Sequence, residues 1–474
     1  MRELCFDFPR IFIAGLQGGA GKTTLTVGII AAWRKYGKSI AAFKKGPDYI
    51  DAGWLALAAG RPCYNLDSFL LEKKAVIQSF LIHTLPNDTA VIEGNRGLYD
   101  GIDMEGRTSS AELAKLLAAP VVLCADCTKT ARTMAAVISG CIHFDPDLKI
   151  QGIILNRVAG TRHEQNLRRN IEHYCGIPVV GSVPKLEDHH FPERHMGLVP
   201  TPEHVLAGNA ADAAAQIAQR HINLDALERI AQSAPAHVFT LGDSEELSDS
   251  VQKKRFPAPD RPRIGIILDS AFQFYYPDNI EALIKAGAET VFIRATEDRT
   301  VPDIDALYIG GGFPETHAEI LAKNTGFRNE IRQLAENGLP VYAECGGLMY
   351  LGEALVTDGK TYPMTGVLPA VFGISSKPQG LGYTIVAVDR ENPWYPVGTE
   401  IKGHEFRYSR VLEWRGSDKD MVFRMKRGTG FANRRDGISY KNIFATYTHI
   451  HSLGVPMWAE IMVARATAFK SLKR

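Results

Sequence analysis

Short apolar runs alternate with helix-like stretches along the first third of the chain. The stretch 22–36 is predicted to be a helix that Gly37 ends. Runs this short and rich in β-branched residues, separated by helical patterns, are typical of a parallel sheet wound with helices. The strands predicted from these runs lie at residues 10–14, 39–43, 89–93, 121–125, 150–155 and 178–182.

The pattern breaks in the segment 232–262, which is rich in Ser, Pro and charged residues and is predicted to be a linker. A second alternation starts with RIGIILD at residue 263, and TVFIRA, ALYIGGG and LPVYAEC follow as strands. The fold predicted is therefore α/β with two doubly wound domains, residues 1–231 and 263–474.

The bulk composition narrows the class of protein. The 474 residues are 45% hydrophobic and 23% charged, as in globular proteins, and the net charge of +1 gives no reason to expect nucleic acid or an anionic membrane as a partner. No apolar run is long enough to span a membrane, and the N-terminus lacks the pattern of a signal peptide. The seven cysteines are scattered and odd in number, which favours reduced thiols and a cytoplasmic location.

The first strand runs into GLQGGAGKTT, and a helix follows at once. Glycines let backbone N–H groups surround phosphate oxygens, and the helix N-terminus favours negative charge. Lys22 would reach the β- and γ-phosphates, and the Thr23 hydroxyl would bind Mg²⁺. The alternative, a glycine-rich turn without a ligand, does not explain why strand, loop and helix follow in this order. The predicted ATP-binding residues of this loop are Gly18, Gly19, Gly21, Lys22, Thr23 and Thr24.

Acidic residues follow the next strands. Asp48 lies in FKKGPDYID just past the second strand, and Glu93 ends the third. Carboxylates at the carboxyl ends of parallel strands converge on the ligand crevice, and Mg²⁺ prefers oxygen ligands. We therefore expect Thr23, Asp48 and Glu93 to hold Mg²⁺. For Asp48 and Asp51 the alternative is turn chemistry around Gly46.

The second half contains one cysteine in a setting that suits a nucleophile. Cys345 follows an apolar strand in AECGGLMYL, and the strand ALYI runs into three glycines. A strand-to-helix turn exposes a nucleophile, and glycine N–H groups can stabilise an oxyanion. The tail TYTHIH supplies a base, since alternation along a strand would place His449 and His451 on one face. The alternative is a buried structural cysteine. The predicted oxyanion donors are Gly311, Gly312 and Gly346.

These motifs resemble known families. AECGG, the glycines at 310–312 and the late Y-x-H are similar to the class I (triad-type) glutamine amidotransferases, which implies that His449 is the base. Many members carry an acid two residues beyond the histidine. His451 stands there, so the resemblance implies a Cys–His pair without a third member. The N-terminal half resembles the dethiobiotin-synthetase-like P-loop fold.

Both halves, together with FKKGPDYIDAGW, GRPCYNLDSFLL, EGNRGLYDG, RHMGL and GHEFRYS, resemble the family of cobyrinic acid a,c-diamide synthases. The resemblance implies that ATP converts a carboxylate to an acyl phosphate, which ammonia released from glutamine attacks. The implied substrates are cobyrinic acid, glutamine and ATP, with Mg²⁺ as cofactor and a homodimer as an option. Asp51 and Asp100 would position the acyl intermediate or the ammonia. Asn156 in ILNRV resembles the adenine-reading Asn of the fold, although a capping or turn Asn explains it as well.

Two residues depart from the family patterns. Gln17 stands where related P-loop ATPases carry a signature lysine, and Arg407 in GHEFRYS stands where His is expected. Two alternative functions stay open. One is the same chemistry on Ni-sirohydrochlorin in coenzyme F430 synthesis. The other is a ParA/MinD-like ATPase switch, against which Gln17 and the thiol site speak.

Overall fold

The computed structural model describes residues 2–185, 193–194, 197–203, 207–241 and 260–473. The chain divides into two compact units, Met1–Glu246 and Leu247–Arg474. Each unit builds its own layered α/β core, as the alternation of apolar runs predicts.

The first unit alternates strands and helices. Its strands are β1 (Arg2–Phe6), β2 (Arg10–Gly15), β3 (Ser39–Lys45), β4 (Tyr64–Leu66), β5 (Asp88–Glu93), β6 (Val121–Asp126), β7 (Ile150–Val158), β8 (Val179–Pro184), β9 (Glu193–Arg194), β10 (Gly197–Leu198) and β11 (His237–Leu241). Its helices are α1 (Lys22–Lys35), α2 (Tyr49–Ala59), α3 (Lys73–Ile82), α4 (Ser110–Leu116), α5 (Arg132–Phe144), α6 (Thr161–Cys175), α7 (Ala207–His221) and α8 (Leu224–Gln232).

A seven-stranded sheet in the order β4-β3-β5-β2-β6-β7-β8 forms the centre of this unit. All of its strand pairs are parallel. Because β2 lies between β5 and β6, the strand order reverses there, which is where ligands bind in sheets of this type. The segments that follow β2, β3 and β5 carry the predicted nucleotide and metal residues, so the topology brings them to one edge of the sheet.

Part of the segment predicted to be a linker is folded. β11 pairs with β1 in antiparallel register, with Phe6 opposite His237. This pairing belongs to the first unit. Residues 242–259 of the predicted linker, and His195 and Met196 of the RHMGL motif, lie outside the described residues. The domain boundaries inferred from composition stay a prediction.

The second unit begins with the same alternation and then departs from it. Its strands are β12 (Arg263–Ile267), β13 (Glu289–Ile293), β14 (Ala306–Ile309), β15 (Val341–Glu344), β16 (Ala354–Thr357), β17 (Lys360–Pro363), β18 (Ala370–Ile374), β19 (Gly380–Val388), β20 (Glu400–Arg407), β21 (Ser409–Trp414), β22 (Met421–Arg427), β23 (Arg435–Tyr440) and β24 (Ile443–Thr446). Its helices are α9 (Pro277–Lys285), α10 (Ala318–Lys323), α11 (Thr325–Glu336), α12 (Gly346–Leu351) and α13 (Met457–Lys473).

The main sheet of this unit has nine strands in the order β13-β12-β14-β15-β24-β23-β22-β19-β20. The part from β13 to β24 is parallel, as the doubly wound prediction requires. The part from β23 to β20 is antiparallel and was not predicted. A four-stranded sheet, β17-β16-β18-β21, completes the unit. No helix in the described parts of the chain is long and apolar enough to cross a membrane.

Close helix packing in the first unit depends on one glycine. A Cβ atom at Gly28 of α1 would lie 2.4 Å from the carbonyl oxygen of Ala214 in α7. The facing side of α7 consists of buried alanines, which lets the two backbones approach. Gly140 in α5 is the opposite case, because a Cβ there would meet nothing within 4 Å.

We expect Gly28→Ala and Gly140→Ala to change stability in opposite directions. The added methyl at Gly28 forces α1 and α7 apart and costs about 1–3 kcal/mol. At Gly140 it lowers the backbone entropy of the unfolded chain and gains up to about 1 kcal/mol. Thermal unfolding of the two variants beside the wild type measures both effects. Equal shifts of Tm for the two variants would contradict the packing argument.

Candidate active sites

The glycine-rich loop lies between β2 and α1, where the sequence predicts it. Gly21, the residue before α1, has φ 81°, and Gly19 has φ 72°, values that favour glycine. The Lys22 ammonium folds back over the loop and donates to the carbonyls of Arg96 at 2.9 Å and Gln17 at 3.4 Å. Burial lowers the pKa of Lys22, and the neighbouring Lys44 lowers it further. A phosphate group bound beside it would favour the charged form of Lys22. Gly18 and Thr24 lie on either side of this turn.

Asn156 supports the loop from β7. Its Nδ2 donates to the carbonyl of Ala20 at 2.9 Å, and its Oδ1 accepts from the backbone N–H of Arg157 at 2.9 Å. A Cβ atom at Gly21 would lie 2.3 Å from the same Nδ2. The Asn156 side chain therefore fixes the loop through hydrogen bonds, as a capping or turn Asn would. Reading of adenine by Asn156 stays a prediction.

A buried lysine that the sequence analysis missed organises the acids beside the loop. The Lys44 ammonium is 2.6 Å from Oδ2 of Asp51 and 2.5 Å from Oε1 of Glu93. The Thr23 hydroxyl donates to the same Oε1 at 2.9 Å. Burial lowers the pKa of Lys44, but the two carboxylates outweigh it and raise that pKa above its usual range. The feature that could have revealed Lys44 is the alignment of neighbouring strands, because Lys44 in β3 lies opposite Glu93 in β5.

The pKa values of the two aspartates in the FKKGPDYID motif are shifted in opposite directions. Asp48 precedes α2, and its Oδ1 accepts from the N–H of Asp51 at 2.9 Å, which is an N-cap. Burial and the carboxylate of Asp51 raise the pKa of Asp48 to about 7. Burial also acts to raise the pKa of Asp51, but Lys44 outweighs it and lowers that pKa. The capping alternative for Asp48 is thus present in the structure, and its metal role stays a prediction.

The oxygen atoms beside the loop fit Mg²⁺. Oε2 of Glu93 is buried and accepts no hydrogen bond from any described residue, and the Thr23 hydroxyl lies next to this carboxylate. The described residues contain no cluster of three or more His, Cys, Asp and Glu side chains suited to a metal. Mg²⁺ commonly takes only one or two protein carboxylates and completes its shell with phosphates and water. Thr23 and Glu93 therefore fit such a site.

Asp100 lies in the loop after β5, apart from the direct contacts of Lys44. Its Oδ2 accepts from the N–H of Gly97 at 2.8 Å, a local turn contact. The buried Lys45 lies within electrostatic reach of it. Burial lowers the pKa of Lys45 to about 8, and Asp67 and Asp100 oppose this shift. The role of Asp100 toward an acyl intermediate or ammonia stays a prediction.

The thiol in the second unit lies on a strained turn. Cys345 joins β15 to α12 with φ 47° and ψ −96°, and it is 6% exposed. Its N–H donates to the carbonyl of Thr446 at 2.8 Å, which ties the turn to β24. A residue with a Cβ rarely adopts such angles, and strain of this kind is concentrated at functional sites. The geometry is that of the predicted nucleophile turn.

The predicted oxyanion donors surround this turn. A Cβ at Gly346 would lie 3.0 Å from the backbone nitrogen of Gly312, and one at Gly311 would lie 2.5 Å from Cε1 of His449. A side chain at Gly346 would therefore push against the backbone of Gly312, and one at Gly311 would push against the ring of His449. Within the described residues, the N–H groups of Gly312 and Gly346 donate no hydrogen bond. They are placed to receive a developing negative charge, and the assignment stays a prediction.

His449 is the histidine that contacts the thiol. Its backbone pairs with that of His404, and the two rings stack with centroids 4.9 Å apart. Its Nδ1 lies 3.4 Å from Oε2 of Glu344. Burial lowers the pKa of His449, but hydrogen bonds with Cys345 and Glu344 outweigh it and raise that pKa to about 10. A pKa this high favours the imidazolium, which is the form that the ring takes once it has accepted the proton of the thiol as general base.

The expectation that His449 and His451 share one face of a strand is wrong. β24 ends at Thr446, so the alternation of a strand does not extend to these residues. The His451 ring lies instead against Tyr276, and its Nε2 is 3.5 Å from Oδ2 of Asp278. The expectation of a Cys–His pair without a third member stays a prediction, and the carboxylate of Glu344 lies beside His449.

A buried aspartate holds the segment that carries the histidine. Asp436 in β23 accepts from the N–H groups of Tyr447 at 3.0 Å and Thr448 at 3.1 Å, and from the hydroxyls of Thr446 at 2.8 Å and Thr448 at 3.0 Å. These contacts fix the chain immediately before His449. The sequence analysis did not identify Asp436, whose partners follow it by 10 to 12 residues, beyond the turn between β23 and β24.

Arg407 has a structural role in the GHEFRYS motif. Its guanidinium donates to the carbonyl of Gly430 at 2.5 Å, lies 3.5 Å from the carboxylate of Glu405, and covers the Tyr447 ring at 3.8 Å. The residue of this motif that touches the thiol site is His404, which the sequence analysis did not identify. Gln17, the other departure, supplies a backbone carbonyl to Lys22 and has an exposed side chain.

Known proteins resemble the chain along its whole length. Residues 11–199 match the family described as "CobQ/CobB/MinD/ParA nucleotide binding domain", and residues 263–456 match the "CobB/CobQ-like glutamine amidotransferase domain". The cobyrinate a,c-diamide synthase of Magnetococcus marinus is 43% identical over 458 residues, which cover 96% of this chain and 97% of that protein. The synthase of Archaeoglobus fulgidus is 40% identical over 475 residues, which cover 100% of both chains.

The chain belongs to the cobyrinate a,c-diamide synthase family. Membership confirms the two-domain prediction, with a nucleotide-binding P-loop unit first and a glutamine amidotransferase unit second. It also confirms an enzyme of the amidotransferase and ligase type. A further relative, from Listeria innocua, is 38% identical and carries the same family name.

We expect Lys44→Met to destabilise the first unit by about 3–5 kcal/mol near neutral pH, because it leaves the carboxylates of Asp51 and Glu93 buried without their cation. Lys44 lowers the pKa of Asp51, so the stabilisation from this pair is present at neutral pH. It is lost as the pH falls through that lowered pKa. The difference between variant and wild type should therefore shrink in acid.

Denaturant unfolding at neutral and acidic pH measures this difference. Lys38→Met is a matched control, since Lys38 pairs with Glu228 at 2.5 Å but both side chains are about one-third exposed. Its loss should be at most about 1 kcal/mol. Similar losses for the two variants would refute the buried-charge account.

Proposed function

We propose that this protein amidates the a- and c-acetate carboxylates of cobyrinic acid in succession, using ATP and glutamine, and releases cobyrinic acid a,c-diamide. The contact of His449 with Cys345 on a strained turn carries the proposal, because it provides a nucleophile with its base. The full-length relatives named cobyrinate a,c-diamide synthase support the choice of substrate.

The proposed glutaminase step begins at the thiol. His449 takes the proton of Cys345, and the thiolate attacks the amide carbon of glutamine. The N–H groups of Gly312 and Gly346 receive the negative charge on the carbonyl oxygen. The imidazolium of His449 then gives its proton to the leaving ammonia, which leaves a thioester on Cys345. Water hydrolyses the thioester and releases glutamate.

The proposed synthetase step activates a carboxylate that would otherwise be a poor electrophile. The backbone around Gly18, Gly19 and Gly21 holds the phosphates of ATP, and Lys22 faces the β- and γ-phosphates. Thr23 and Glu93, with Asp48 as predicted, would hold Mg²⁺, which neutralises negative charge on the transferred phosphoryl group. The product of this transfer is an acyl phosphate.

Ammonia then attacks the acyl phosphate and displaces phosphate. In this proposal Asp51 and Asp100 position the acyl group or the incoming ammonia, as the family resemblance implies. Lys44 keeps Asp51 charged and in place. Asn156 fixes the phosphate loop and is proposed to read the adenine as well.

The relatives favour cobyrinic acid over Ni-sirohydrochlorin as the macrocycle, because those reported above are named for cobyrinate. The ParA/MinD-like switch is disfavoured for a different reason. A switch of this kind needs no thiol site, whereas this chain places Cys345, His449 and two unbonded glycine N–H groups together.

The decisive measurement is the product mass after incubation with cobyrinic acid, Mg-ATP and either glutamine or ammonium. We expect the wild type to replace two hydroxyl groups by amino groups with either nitrogen source. Cys345→Ala should do so only with ammonium, since it lacks the nucleophile for glutamine. Cys141→Ala is the matched control, because Cys141 is a partly exposed thiol in α5 of the other unit. It should behave as the wild type does.

The outcomes separate the alternatives. Amidation of Ni-sirohydrochlorin but not of cobyrinic acid would keep the chemistry and replace the substrate. ATP hydrolysis without amidation of either compound would favour the switch. Loss of the ammonium-dependent reaction in Cys345→Ala would contradict a role for Cys345 limited to glutamine.

The homodimer stays a prediction. Sedimentation equilibrium of the purified protein measures it directly. A dimer has twice the 52.1 kDa mass of the chain, and a species with the mass of one chain would contradict it.

A further inference from the structure

We propose that Glu344, the residue before the nucleophile, positions His449, so that the glutaminase site works with three residues instead of two. The inference rests on the proposed function and adds a member to its site. The acid comes from the end of β15, directly before Cys345. The family pattern places it instead in the segment after the histidine.

The first argument is position. Glu344 is the last residue of β15 and is fully buried, with 0% exposure. The next residue, Cys345, turns sharply away with φ 47°. This turn places the carboxylate and the thiol, although adjacent in sequence, both against the ring of His449.

The second argument is the set of contacts that fix the carboxylate. Oε1 accepts from the N–H of Ile450 at 3.1 Å, and Oε2 accepts from the hydroxyl of Tyr308 at 3.1 Å. Oε2 also lies 3.4 Å from Nδ1 of His449. The same carboxylate therefore holds the backbone beside the histidine and faces its ring. Catalytic hydrogen bonds are often long without substrate and shorten in the complex, so 3.4 Å is compatible with the role.

The third argument is charge. An ionised carboxylate is costly to bury unless a donor or cation faces it. The hydroxyl groups around Glu344 are neutral, so the imidazolium is the positive partner available. The His404 ring stacks on that of His449, and burial and then His449 and His451 hold the pKa of His404 well below its usual range, which favours its neutral form. The titratable groups facing this pair are Cys345, His404, Tyr275, Tyr308, Tyr342 and Tyr395.

The chemistry follows from the two ring nitrogens. Nδ1–H of His449 donates toward Glu344, which leaves the lone pair of Nε2 to take the proton of Cys345. The carboxylate stabilises the imidazolium that results and keeps the ring in this orientation. When ammonia leaves, the proton passes from Nε2 to the leaving nitrogen.

Glu344→Gln tests the role, because it preserves size and removes the charge. Its amide oxygen can still accept from the N–H of Ile450, whereas its amide nitrogen, in place of Oε2, can only donate toward Tyr308 and Nδ1 of His449. We expect kcat for glutamine hydrolysis to fall roughly 100-fold with little change in KM. The pH at which iodoacetamide alkylates Cys345 at half its maximal rate should move upward, since the imidazolium that stabilises the thiolate is weakened. Amidation with ammonium should be unchanged.

Asp278→Asn is the matched control. Asp278 is also buried and lies 3.5 Å from a histidine, His451, whereas the histidine hydrogen-bonded to Cys345 is His449. This variant should keep the wild-type alkylation profile. An unchanged profile in Glu344→Gln, or an equal shift in Asp278→Asn, would overturn the inference. If the wild type itself hydrolyses no glutamine, the proposed function fails instead, so the two failures are distinguishable.

A second measurement needs no change at Glu344 and covers the case in which Glu344→Gln does not fold. Nitrogen NMR of ¹⁵N-histidine-labelled full-length protein reports which ring nitrogen carries the proton, and His449→Gln identifies the signal among the 14 histidines. We expect a protonated Nδ1 in His449 at neutral pH. An unprotonated Nδ1 would exclude donation to Glu344.

Discussion

A carboxylate buried at the end of a parallel strand must be matched by a donor or a cation, and both candidate sites are built around this constraint. Glu93 ends β5 and Glu344 ends β15, and each is 0% exposed. Without partners, either charge would cost several kcal/mol of folding free energy. Lys44 faces the first and His449 the second. The groups that neutralise the buried charge are also the groups with which chemistry can be done.

In the first unit the partner comes from the neighbouring strand. Lys44 pairs with Glu93 in the register of β3 and β5, and it also holds Asp51 at the start of α2. The glycine-rich loop lies beside this group, supported by Asn156. Residues of the sheet and of α2 therefore lie beside the loop that is predicted to hold the nucleotide. In the second unit the partner lies on an irregular segment, which is why Asp436 must hold that segment in place.

Local patterns in the sequence predicted the features that depend on neighbours in the chain. The parallel strands follow from short apolar runs, and the loop at Gly21 and the turn at Cys345 follow from glycine spacing and the strand before them. The antiparallel strands β19, β20, β22 and β23 were not predicted. Lys44 and Asp436 were missed because their roles come from contacts across a sheet, which no local pattern reports.

Glu344 was missed for another reason. It stands directly before Cys345 in the quoted AECGG, but the family pattern places the acid after the histidine. The face of the histidine could not be read from alternation either, since the chain leaves the sheet at Thr446. Tertiary geometry decides such cases, because residues adjacent in sequence can point at the same partner when the backbone between them turns sharply.

The backbone of Cys345 has a consequence for how this position can change over time. A residue with a side chain at φ 47° stores about 1–3 kcal/mol of conformational strain, which the surrounding core must overcome. Folding alone would favour glycine there, because glycine adopts positive φ without strain. The thiol is thus retained against the preference of the fold. In a lineage that gained ammonia from another source, selection would no longer oppose that preference, and drift toward glycine at this turn would make the protein more stable as it lost a reaction.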